Sequence, residues 1–184
     1  MKHLPLRAIA MVMIVLAGAA CGTGSPTMAP TPASASFEEY ETGVCSAFGA
    51  MIRAVGNLDA GTPSVLSKSL DDAVAAGDVA AADRAAANVA SELETGRQGA
   101  AAAGRWPPAQ PAMAAMDTLL VALEAETTAK VAAARHTPGA VEPQTAFEQA
   151  GGVQAYTVML QGISTMQPPA GASPKACPAF SGTP

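Results

Sequence analysis

From residue 37 onward, apolar residues recur at steps of three and four, the spacing of one face of an α-helix. Phe37, Tyr40, Val44, Phe48, Met51 and Val55 predict a first helix over 37–57. Ser36 stands at its N-cap, and Glu38, Glu39 and Glu41 complement the positive end of the helix dipole. A shorter second helix is expected over 63–76, with Thr62 as cap, Pro63 at the first helical position and Val65, Leu66, Leu70, Ala73 and Val74 inward. Gly77 reads as its C′ residue. Asp78 then caps a third helix over 79–103, whose face (Val79, Ala82, Ala86, Val89, Leu93, Ala100, Ala103) is built from small residues.

Gly104 and the pair Pro107-Pro108 interrupt the pattern. A fourth helix is predicted over 109–135, with Met113, Met116, Leu120, Leu123 and Val131 inward. His136-Thr137-Pro138-Gly139 is a stop signal. A fifth is predicted over 143–166, carrying Phe147, Ala150, Tyr156, Leu160 and Ile163, with a kink or close contact at Gly151-Gly152. Pro168-Pro169 ends it, and an irregular tail follows from Gln167. Strand alternation and hairpin signals are nearly absent. The expected fold is all-α: an antiparallel helical bundle of four long helices plus one short helix, over residues 37–184.

The start of the chain follows a different pattern. Lys2 and Arg7 precede an uncharged run, Ala8 to Ala20, that is shorter than the ~20 residues a transmembrane helix needs. It has the length of a signal-peptide core and ends Leu16-Ala17-Gly18-Ala19-Ala20-Cys21. Small residues directly before a cysteine resemble the bacterial lipoprotein signal. The resemblance implies removal of residues 1–20, a diacylglycerol on Cys21 and an extracytoplasmic chain held to the cell membrane by lipid. Two acyl chains are enough for stable anchoring. The run from Gly22 to Ser36, rich in Pro, Ser and Thr and without charge, reads with Cys21 as a disordered tether over 21–36. Such a coil spans roughly 20 Å. The helical part loosely resembles alanine-rich helical lipoproteins of high-GC bacteria.

Composition narrows the chemistry. The chain has 184 residues, with 15 acidic against 10 basic and a net charge of −5. An acidic chain lacks the basic patch that nucleic-acid binding requires. In an oxidising compartment Cys45 and Cys177 are expected to pair, stapling the C-terminal tail to the first helix. By chain entropy alone, closing so long a loop is worth somewhat more than about 4.7 kcal/mol.

After loss of the leader, His136 is the only histidine, and no Glu-x-x-His motif occurs. No zinc or di-iron ligand set of the usual kind can be assembled. Nor is there a Gly-x-Ser-x-Gly elbow or a phosphate loop. Met51, Met113, Met116, Met159 and Met166 carry soft thioethers, yet their spacing is that of core filler. No metal and no cofactor are therefore expected. Arg105 and Trp106, between helices three and four, are candidates for a partner-binding corner, because both types are enriched at hot spots. Packing over the end of the bundle is the other reading of Trp106. The expected role is a binding or interaction module with an envelope protein or a small apolar ligand as partner. The alternative is an envelope enzyme working through carboxylates or through Tyr40 and Tyr156.

Overall fold

The computed structural model describes residues 35–172 and Cys177. The leader, Cys21 and the tether up to residue 34 lie outside the described residues, as does most of the tail beyond residue 172. The described part is mostly helical: α1 (Phe37–Val55), α2 (Val65–Ala75), α3 (Val79–Ala103), α4 (Gln110–Ala134), α5 (Pro143–Gln149) and α6 (Gly152–Thr165). A single 3-10 turn (Pro107–Ala109) links α3 to α4. Two-residue strands β1 (Gly56–Asn57) and β2 (Thr62–Pro63) pair antiparallel, Gly56 opposite Pro63.

Local chemistry explains the starts and stops. Ser36 and Glu39 form a capping box: the Glu39 N–H donates to the Ser36 hydroxyl at 3.2 Å, and the Ser36 N–H donates to the Glu39 carboxylate at 2.7 Å. Asp78 caps α3 by accepting from the Ala81 N–H at 2.9 Å. The expected cap of α2 is corrected. Thr62 and Pro63 belong to β2, and Ser64 takes the cap, accepting from the Ser67 N–H at 3.0 Å while donating to the Ala54 carbonyl at 2.8 Å. The first helix accordingly stops at Val55, short of the expected 57, because Gly56 and Asn57 leave it to pair with β2.

The fifth helix is also corrected. Gly151 takes a left-handed φ of 82° and divides the expected segment into α5 and α6. The break shifts the helical phase. Gly152, Ala155 and Met159 become the buried face of α6, while Leu160, expected inward, is 40% exposed. Val65, at the first position of α2, likewise faces outward and is 83% exposed.

α1 packs chiefly on α3, α3 on α4, and α4 on α6, with α2 lying against α3. Two hydrophobic clusters result. The larger joins Tyr40, Phe48 and Met51 of α1 to Val89 and Leu93 of α3, Met113, Met116, Leu119 and Leu120 of α4, and Met159 of α6. The smaller holds Leu70, Ala73, Ala82, Ala85, Val131 and Ala134. Ion pairs Asp83–Arg135 and Arg97–Asp117 join α3 to α4, start to end and end to start.

The α1–α3 contact is close. A Cβ added at Gly99 would stand 2.8 Å from the Ala47 nitrogen and the Gly43 carbonyl oxygen. One at Gly43 would stand 2.8 Å from the Ala103 nitrogen. Here the two backbones touch, which only residues without side chains allow. No helix among the described residues is long and apolar enough to cross a membrane.

Candidate functional site

At the N-terminal end of α1 the packing leaves an opening. α1 and α6 flank a cleft instead of packing along one another. Phe37, Tyr40, Glu41 and Val44 form one wall; Ile163 and Met166, with Pro168 and Cys177 beyond α6, form the other. The periodicity explains the first wall, because residues 37, 40, 41 and 44 fall on one face of a helix. The cleft measures about 200 Å³. Its lining residues are apolar apart from Tyr40 and the buried Glu41.

Trp106 stands behind this wall. Its ring lies 4.8 Å from that of Tyr40 and meets Phe37 edge-on at 5.2 Å, centroid to centroid. Such pairs add about 0.5–1.5 kcal/mol beyond burial. Trp106 is half-buried against the larger cluster. It is therefore a packing element of the cleft's supporting layer. The neighbouring Arg105 is exposed and takes no part in the cleft. It borders a separate polar groove between α1 and α3, with Glu38, Glu39, Thr42 and Gln98. Its carbonyl accepts the N–H of the buried Ala35 at 3.2 Å, so the chain joins the domain just before the expected boundary.

Cys45 and Cys177 are joined in a disulfide, with Cα atoms 5.3 Å apart and a separation of 132 residues. The bond brings the tail to α1, and Cys177 itself contributes to the cleft.

The two tyrosines are not brought together. Tyr40 lines the cleft, where burial, and then the charge of Glu41, raise its phenol above the ordinary value. Tyr156 donates to Asp59 in the turn between β1 and β2. Burial, followed by the bond to Asp59, pushes its pKa up to about 12. Both shifts move the phenols further from the neutral range in which a general base works.

His136, at the end of α4, takes a left-handed φ of 50°. The four core methionines, Met51, Met113, Met116 and Met159, are buried in the larger cluster, and Met166 is half-buried at the cleft. Among the described residues, no group of three or more His, Cys, Asp or Glu is placed to hold a metal ion.

Two signals for the cleft were present in the sequence but not joined: the aromatic start of α1 and the disulfide. The walls lie far apart in the chain, and periodicity carries no information on which distant faces meet. Comparison with family models, with characterised proteins and with solved structures finds no match to this chain.

Proposed function

We propose that this chain is a lipid-anchored envelope protein whose helical domain holds a small, neutral, apolar molecule in the α1/α6 cleft. In this reading α1, α3, α4 and α6 form an antiparallel bundle, α2 and α5 are short additions, and Cys21 carries the lipid. The observation that carries the binding role is the cleft itself. Phe37, Val44, Ile163, Met166 and Pro168 give it apolar walls, and Trp106 backs its aromatic side. At about 200 Å³ it is smaller than the ~300–1,000 Å³ of pockets for drug-sized ligands. The fitting ligand is thus one or two rings, or a short alkyl chain. The acidic chain disfavours an anion.

The test uses the full chain carrying Cys21→Ser, which has no lipid acceptor, and 1-aminonaphthalene, a neutral two-ring fluorophore. Saturable binding with a blue-shifted emission is expected. Ile163→Trp should fill the cleft and abolish binding while the far-UV circular dichroism stays helical. Equal binding by that variant would remove the cleft from consideration. For the anchor, radioactive palmitate should label the wild-type chain and not the Cys21→Ser chain.

A further inference from the structure

The wall of the cleft facing α1 runs past the end of α6: Ile163, Met166 and Cys177 pack against the larger cluster, and Pro168 is exposed. Beyond Thr165, the described backbone hydrogen bonds are local: the Met166 N–H to the Ile163 carbonyl at 3.2 Å, and the Ala172 N–H to the Pro169 carbonyl at 2.9 Å. Among the described residues none of these bonds ties the stretch to α1. The covalent link does: Cys177 is bonded to Cys45, the residue after Val44 of the opposite wall. Both cysteines are half-buried. The helices, by contrast, are joined through a core in which α1, α3, α4 and α6 all take part. The bond thus links the two walls covalently, while most of the helix packing lies elsewhere.

We infer that the Cys45–Cys177 bond controls the ligand affinity of the cleft, so that the oxidised chain binds and the reduced chain releases. This rests on the cleft being the binding site. The chemistry is ordinary thiol–disulfide exchange with a dithiol. A thiolate of the dithiol attacks one sulfur, the Cys45–Cys177 bond breaks, and the departing cysteine takes a proton. The second thiol of the reductant then displaces the protein from the mixed disulfide. Two electrons and two protons reach Cys45 and Cys177, and the dithiol leaves as a cyclic disulfide. Cys177, one of the residues lining the cleft, is then no longer held beside Val44. Because coupling is reciprocal, a ligand that prefers the oxidised state must also make the bond harder to reduce.

The experiment takes the full chain with Cys21→Ser, so that Cys45 and Cys177 are its only thiols. It is titrated with 1-aminonaphthalene when oxidised, after reduction with dithiothreitol, and after reoxidation. Affinity should fall at least tenfold on reduction and return on reoxidation, with the helical spectrum retained throughout. Saturating probe should raise the dithiothreitol concentration needed for half-reduction by up to the same factor. Cys177→Ser should behave as the reduced chain without any reductant. Equal affinity in both redox states would overturn the inference and leave the cleft as a site. Absence of binding even when oxidised would overturn both the inference and the binding role. Collapse of the helical spectrum on reduction would make the bond a staple of the whole fold and overturn the inference alone.

Discussion

His136 shows how much one backbone angle decides. It sits at the position after α4 where glycine is usual, and the local bonds are those of a Schellman end: the His136 N–H to the Ala133 carbonyl at 3.0 Å and the Thr137 N–H to the Ala132 carbonyl at 3.1 Å. With φ at 50°, its Cβ meets the steric cost of the left-handed region. His136→Gly should therefore stabilise the chain by about 0.5–1 kcal/mol, read as a higher urea midpoint. A lower midpoint would mean that the imidazole contributes more at this helix end than its strain costs. Gly99 is the opposite case. Gly99→Ala places a methyl group against backbone atoms that cannot rotate away, and overpacking of this kind costs about 1–3 kcal/mol. An unchanged urea midpoint would show that α1 and α3 separate freely. The sequence reading of the α3 face included Ala100 and Ala103 but not Gly96 or Gly99, because a glycine adds nothing to hydrophobic periodicity even where it makes the contact.

At the scale of elements, the legible features were those written in neighbouring residues. Ser36, Asp78 and Pro107-Pro108 mark helix ends through bonds made or lost within one turn, and the structure has those boundaries. The β1–β2 turn was not legible. A two-residue ladder is too short to alternate, and Thr62-Pro63 carries a helix-start signal that Ser64 uses instead. The division of α5 from α6 was half legible: the glycine pair signals a break, but neither the left-handed angle of Gly151, which resets the buried face, nor the close approach of Phe147 to Gly152 is written in the periodicity. Burial of Tyr156 on α6, and then its bond to Asp59 of the β1–β2 turn, make stability depend on alkaline pH. An ordinary phenol loses its proton near 10, whereas Tyr156 holds it to about 12. The folded state therefore binds that proton more tightly. Its contribution is complete below 10 and is lost as pH rises from 10 to 12. Urea midpoints should fall across that window, and Tyr156→Phe should flatten this part of the profile. An equal fall in both chains would assign the effect to other groups.

For the molecule as a whole, the cleft is where sequence reasoning was least able to reach, since Phe37 and Met166, on its two walls, lie near opposite ends of the described residues. The disulfide was legible because the lipoprotein resemblance reserves Cys21 for lipid, which leaves Cys45 and Cys177 one pairing; its place beside the cleft was not. The division of the interior into two clusters has a consequence for how the fold opens. α3 and α4 each run through both: Ala82, Ala85, Val131 and Ala134 belong to the smaller, Val89 to Ala103 and Ala112 to Leu123 to the larger. Alanines dominate the smaller cluster, and each buries little area, so that end has less to lose on separating from α2. Amide protons should register this as two exchange classes within single helices. Those of Ala82–Ala86 and Val131–Ala134 should exchange through a local opening with α2. Those of Val89–Ala100 and Met116–Leu123 should exchange only with global unfolding. Each long helix would then be one rod crossing two regions of cooperativity, free to fray at the α2 end while the end bearing the cleft stays closed.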